Sequence, residues 1–259
     1  MPDQALPKEA VWKHLPRFFS LASPYIESQS FELEKRVFQH AIQARRLKSG
    51  QFFIIFDGQG AEYLAQINTI ERHQATATWR GMQCISREST LRITLAASLI
   101  ASDKMDWMVQ KAVELGVYAF QPIITQHGFQ LVSHRWPEKQ HHWEEVAISA
   151  CEQCARNVLP IIHPLNTLEE CFSSVPPNAK KWLLSPHAEQ TLGEHLKGTM
   201  DSEADIYVLV GPEGGLSVQE ETQLCDQRWK RLGLGPRILR AETAALAALS
   251  CVQAFHGMT

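Results

Sequence analysis

From Leu91 to its end, the chain alternates short apolar runs with longer stretches that carry apolar residues at helical spacing. "LRITLAASLI" reads as a buried strand. In "SDKMDWMVQKAVELG", Met105, Met108, Val109, Ala112 and Val113 form an i, i+3, i+4, i+7, i+8 stripe, the face of a helix packed on a sheet. Asp103 suits its N-cap and Gly116 its C-terminal stop. "VYAFQPIIT" completes a βαβ unit. A long helix then runs from about Pro137 to Asn157, with short strands at "PIIHPL" and "KWLLSP". "DIYVLVG" is apolar on both faces, and Ser217 and Glu220 form a capping box for the next helix. "KRLGLG" adds a strand and "AETAALAALSCVQAF" a last helix. Such alternation implies an α/β domain with a largely parallel sheet.

The preceding sequence has a different texture. "QFFIIFDGQGAEYLAQI" and "QATATWRGMQCI" are strand-like runs, and Asp57-Gly58 followed by Gly60 marks a hairpin of a small barrel. The polar, aperiodic "SREST" at 86–90 reads as a linker. We therefore expect a domain over 15–90, a second over 91–259, and an N-terminal extension, 1–14, without an assigned role. Two domains also suit a length of 259 residues.

Charge and composition narrow the function. The formal charge is −3, which disfavours a nucleic-acid grip over the whole surface. Residues 1–90 carry 11 Lys and Arg against 9 Asp and Glu, and their densest basic cluster is Arg45, Arg46 and Lys48. No apolar run is long enough to cross a bilayer, and the charged, proline-bearing start is unlike a signal peptide, so the expected location is cytoplasmic. Six cysteines without a secretory signal read as reduced thiols. Cys151 and Cys154 form a C-x-x-C with no second pair nearby to complete a zinc shell, and read as two half-buried helical thiols. No metal is expected.

Two glycine-rich turns carry the chemistry. "GPEGGLS" starts at Gly211 after "IYVLV", and "LGLGPRILRAETAALAALS" starts at Leu232. Both fall where strands of an open parallel sheet end and ligands bind. Glycines at 211, 214, 215, 233 and 235 let a ligand approach the backbone. Neither turn is a Walker loop or a GxGxxG fingerprint, which counts against a nicotinamide oxidoreductase. Glu213 would repel a phosphate, so a nucleoside without phosphate fits better.

These two segments closely resemble the closing part of the SPOUT methyltransferases, and in particular the RsmE family of ribosomal RNA uridine N3-methyltransferases. "LPRFF", "HAIQARRLKSGQFFIIFDG", "DKMDWMVQKAVELGV" and "ACEQCARNVLPII" resemble the same family, so the likeness runs from about Leu15 to the C-terminus. It implies a PUA-like β-barrel in the first domain and a trefoil-knotted α/β fold in the second. It implies S-adenosyl-L-methionine (AdoMet) as methyl donor and a homodimer with its active site at the subunit interface. The substrate it implies is 16S rRNA within the small ribosomal subunit, methylated at N3 of uridine 1498. Carried over by position, Leu184 in "LLSPH", Val210, Gly211, Glu213 and Gly215 of the first turn, and Leu234, Gly235 and Leu239 of the second would hold the cofactor.

The uracil imide must lose its proton as the N–CH3 bond forms, so a carboxylate or held water is needed to accept it and an arginine to steady the carbonyl oxygens. The candidates are Glu152, Arg156, Glu213, Arg240 and Glu242. Glu152 and Arg156 are expected at i, i+4 on one helix face, where a structural ion pair is equally compatible. Arg240, between apolar Leu239 and Ala241, reads as substrate-facing. Arg17, Arg45, Arg46 and Lys48 would form the phosphate-contacting face of the first domain. Two alternatives remain open: a non-catalytic RNA-binding assembly factor, and a related enzyme acting on another base.

Overall fold

Strands β6 (Ile93–Ser98) and β11 (Ile206–Val210) are apolar almost throughout because both faces of their sheet are covered. In the computed structural model, which describes residues 12–21, 26–129, 135–197 and 205–256, they pair in parallel near the centre of one sheet. The other strands of that sheet are β7 (Ala119–Ile124), β8 (Ile161–Ile162), β9 (Asn166–Thr167), β10 (Lys180–Leu184) and β12 (Lys230–Leu232). The order is β12-β10-β11-β6-β7-β8, with β9 also on β7, and its pairings are parallel. Parallel neighbours need crossovers. Helices α2 (Ser102–Glu114), α3 (Trp136–Cys154), α4 (Leu168–Ser174), α5 (Leu192–Leu196), α6 (Val218–Asp226) and α7 (Ala241–His256) lie along those connections and at the chain's end.

The α2 stripe buries the five residues that its spacing singles out. Its N-cap differs from expectation. Ala101 occupies that position without a side-chain cap, and Asp103 lies inside the first turn, where a carboxylate favours the positive end of the helix dipole. Gly116, at φ +78°, ends the helix as expected. Ser217 and Glu220 do form a reciprocal capping box, opening α6.

The chain divides into two compact units, one of Met1–Glu88 with Cys151–Leu159, the other of Ser89–Ala150 with Pro160–Thr259. The N-terminal unit holds β1 (Arg17–Phe19), β2 (Ser30–Glu32), α1 (Lys35–Phe38, continued by a π turn to Ala44), β3 (Phe52–Phe56), β4 (Ala61–Ile70) and β5 (Ala75–Cys84). Its sheet runs β1-β3-β4-β5-β2. Asp57 Oδ1 accepts from the amides of Gln59 and Ala61 (2.7 and 3.2 Å), closing the β3–β4 hairpin where the Asp-Gly signal stands. Phe18, Val37, Phe53, Ile67 and Trp79 are among the core residues.

The inclusion of 151–159 in this unit has no counterpart in the sequence reading. α3 ends at Cys154 rather than near Asn157, and Ala155 turns the chain at φ +66°. Asn157 then accepts from Arg17 and donates to the Ile85 carbonyl (3.2 Å). Arg17 also donates to Glu62 (2.7 Å), which Arg87 reaches from a second side (2.9 Å). Burial alone would push the Glu62 carboxyl up, but the Arg87 hydrogen bonds and the Arg17 charge outweigh it and hold it at about 2. Of the N-terminal extension, residues 1–11 lie outside the described residues.

Candidate active site

The carboxyl ends of β10, β11 and β12 are adjacent because those strands pair in one register, Leu184 with Val210 and Leu232. Their following loops enclose a pocket of about 300 Å³. The first loop tightens through a Gly215 amide donated to the Pro212 carbonyl (2.9 Å) before the Ser217 cap starts α6. The second is tied to the loop after β10: Gly233 donates to the Gln190 carbonyl and accepts from the Leu192 amide (2.9 and 2.8 Å). Gly215 and Gly235 take φ of +73° and +99°, values L-residues rarely adopt. At both, no protein atom lies within 4 Å of where a Cβ would stand. Backbone conformation, not internal crowding, demands glycine there, and the side where a Cβ would stand is left uncovered.

The eight residues expected to hold a cofactor all line this pocket, as does Arg240. The Arg240 carbonyl accepts the first helical bond of α7 from Ala244 (2.8 Å), which fixes its backbone while the side chain stays exposed. Glu221 also lines the pocket, 3.5 Å from the Ser185 hydroxyl and 3.2 Å from Arg231. Glu242 is buried, its Oε2 without a hydrogen-bond partner among the described residues.

One functional neighbour escaped the sequence reading. Lys104, on the first turn of α2, donates to Glu213 (2.8 Å). That hydrogen bond lowers the Glu213 carboxyl and raises the Lys104 ammonium from their ordinary values. Glu213, expected from the sequence to repel a phosphate, is thus paired with a cation. The motif "DKMDWMVQKAVELGV" contained the lysine, but no local signal aims it at a loop 109 positions later. His127 is a second such neighbour, its Nδ1 lying 3.2 Å from the Gly215 carbonyl.

Glu152 and Arg156 are placed elsewhere. They do not share a helix face, since α3 ends between them. Glu152 accepts from the Phe19 amide (3.1 Å) and faces Arg36 and His40, whereas buried Arg156 pairs with Glu88 at 2.5 Å. All of these partners belong to the N-terminal unit, and neither residue lines the pocket. Arg45, Arg46 and Lys48 are exposed after the π turn. Arg17 does not join them: it is only 5% exposed and held by Glu62 and Asn157, so its guanidinium is not presented to solvent.

Cys151 is buried, and desolvation pushes its thiol up to about 12, opposite to the shift a reactive thiolate requires. Among the described residues no group of three or more His, Cys, Asp or Glu could hold a metal ion, and no helix is long and apolar enough to cross a membrane.

Comparison with known proteins agrees with this geometry. Residues 87–253 match the model of an RNA methyltransferase domain, and residues 33–78 that of an RNA methyltransferase PUA domain. These matches make the chain, with its parallel α/β unit carrying a strand-end pocket and its small sheet unit, a member of the RNA methyltransferase class. Ribosomal RNA small subunit methyltransferase E of Buchnera aphidicola (subsp. Schizaphis graminum) is 32% identical over 247 residues, covering 95% of this chain and 98% of the relative. The Bacillus subtilis protein of the same description is 26% identical over 91% of this chain and 94% of its own. The Neisseria gonorrhoeae protein of that description, solved bound to S-adenosyl methionine, superposes with TM-score 0.86 at 33% identity over 95% of this chain and 99% of its own. A putative methyltransferase from Legionella pneumophila, also solved with that cofactor, gives 0.86 at 30% identity over 94% and 98%. The chain belongs to the ribosomal RNA small subunit methyltransferase E family.

Proposed function

We propose that this chain methylates N3 of one uridine in small-subunit 16S rRNA, the position corresponding to uridine 1498, with AdoMet as donor. The observation that carries the reading is the convergence of three adjacent strand ends and both glycine turns on one pocket. Its fit to AdoMet rests on two features. The main chain at Gly215 and Gly235 is uncovered on the side where a Cβ would stand and lets an adenosine approach closely, and apolar Leu184, Val210, Leu234 and Leu239 suit its uncharged surface. Bound there, AdoMet would supply an electrophilic methyl group on a sulfonium.

This chain's own residues would then do three things. The loops hold donor and acceptor in line, and such positioning lowers a barrier by on the order of 7–11 kcal/mol. Arg240, at the pocket rim, stabilises the negative charge that grows on a uracil carbonyl oxygen as the N3 proton passes to a pocket carboxylate or to water held by one. Arg45, Arg46 and Lys48 contact RNA phosphates and leave base choice to the pocket. Exposed Val218 (86%) and Ile238 (87%) flank the two turns and support a homodimer meeting near the site. We further propose the trefoil-knotted arrangement of the family and a cytoplasmic location.

Calorimetric titration with AdoMet, followed by mass spectrometry of 16S rRNA from a deletion strain, tests the reading. Micromolar binding and loss of one N3-methyluridine are expected. No AdoMet binding would leave an RNA-binding assembly factor as the function, and loss of a different methylated base would correct the target.

A further inference from the structure

We propose that a second pocket, at the carboxyl ends of β6 and β7, seats one unstacked base of the RNA substrate beside the methyl-donor pocket. The inference rests on the methyltransferase reading above. The cavity measures about 250 Å³. Leu99 and Ile100, directly after β6, and Met105 of α2 form an apolar floor, backed by Trp143 of α3. Phe129 forms a wall and is 55% exposed, an unusual position for a large aromatic ring. Exposed Arg135 stands at the rim.

Position selects the occupant. β6 is the hydrogen-bonded neighbour of β11, so the two pockets lie along the same edge of one parallel sheet. They share two walls. On the first turn of α2, Lys104 reaches Glu213 of the donor pocket while Ser102 and Met105 line the second. In the segment after β7, the Gln126 amide donates to Glu220 (2.7 Å) and His127 meets the Gly215 carbonyl, whereas Phe129 turns into the second cavity. A strand of RNA laid along this edge, with its target base at the donor pocket, brings an adjoining nucleotide to the second one.

The lining suits such a nucleotide. Single-stranded RNA is held by stacking splayed bases on aromatic rings and by cations on the backbone. Phe129 offers the ring face. Arg135 offers a cation for phosphate, whereas the Lys139 charge is already met by Asp106 (3.2 Å) and its Nζ lies over Trp143. The Glu138 carboxylate on the same turn can accept an N–H from a base edge. Asp106 also takes the Trp143 indole N–H (2.8 Å), so the floor is braced without using the exposed rim.

Placing the photo-cross-linker p-benzoylphenylalanine at Phe129 of the full chain and irradiating it with small-subunit RNA tests the assignment. A protein–RNA adduct at a nucleotide next to the methylated one is expected. An adduct joining two copies of this chain, or no adduct, overturns it. In parallel, Phe129→Ala should raise KM for RNA roughly ten-fold, the loss of one stacked base, with AdoMet affinity and Tm unchanged. Phe129→Tyr should restore KM and Phe129→Leu should not; a leucine as good as the native ring would reduce the site to ordinary packing and overturn the proposal. RNA cross-linking by the p-benzoylphenylalanine protein at this site, together with no AdoMet binding by the wild-type protein, would sink the methyltransferase reading and leave the pocket standing.

Discussion

The two units spend their charged residues differently. Among the described residues the buried Arg and Glu side chains are Arg17, Glu62 and Arg156 in the N-terminal unit and Glu242 in the C-terminal one. The first three are paired inside their unit, Arg17 and Arg87 on Glu62 and Arg156 on Glu88. In the C-terminal unit Glu213, Glu221, Arg237 and Arg240 instead line the pocket. A charged residue inside a family-like motif is therefore no guide to chemistry by itself. Arg17 in "LPRFF" and Arg156 in "CEQCARN" hold a fold together, whereas Arg240 in "LRAETA" stands where a substrate could meet it.

The largest effect that would break this contrast is on stability. Glu62→Gln leaves Arg17 buried without its counter-charge and should destabilise the protein by about 3–5 kcal/mol, read by urea unfolding. The pH dependence has a definite sign. Because the folded-state Glu62 value lies near 2, below its ordinary 4.5, its contribution is complete above 4.5 and fades as pH falls toward 2. Glu62→Gln should flatten that acid limb, and an unchanged limb would mean that other carboxyls carry it.

Next comes the chemical step. Arg240→Ala should lower kcat on small-subunit substrate by roughly 10²-fold, the cost of one oxyanion-stabilising donor, with AdoMet affinity within a few-fold of wild type. Full turnover in that variant would place the residue with Arg17 and Arg156 instead. Gly235→Ala should weaken AdoMet binding by about 1–3 kcal/mol, since φ +99° strains a side-chain-bearing residue; equal affinity by calorimetry would show that the turn has no part in binding. Smallest is the effect of reversing Arg45 and Arg46 to Glu. It should weaken RNA binding modestly and reduce the slope of log affinity against log salt by about two, measured by filter binding.

Patterns that recur every two or every three to four residues were legible in the sequence: the α2 stripe, the strand alternation, the Asp57-Gly58 turn and the Ser217 capping box. The pocket lining was legible too, because its glycines stand directly after apolar strands. Long-range pairings were not. Arg17 finds Asn157 across 140 positions and Lys104 finds Glu213 across 109, and no spacing rule connects them. The stop at Ala155 was hidden for another reason: its left-handed φ follows from where the chain must go next, while its alanine side chain favours helix.

The turn at Ala155 bears on how the protein comes off the ribosome. Everything that precedes Ser89 emerges first, yet the side chain that completes the Arg17 pairing is Asn157, and Arg156 is still unsynthesised when its acceptor Glu88 appears. Some seventy residues of nascent chain, the first βαβ of the later unit among them, separate the exit of Glu88 from the arrival of those partners. The N-terminal sheet has all its strands before residue 90, but the partners of Arg17 and Glu88 at Asn157 and Arg156 arrive late in translation, and a chain cut at residue 90 would lack them.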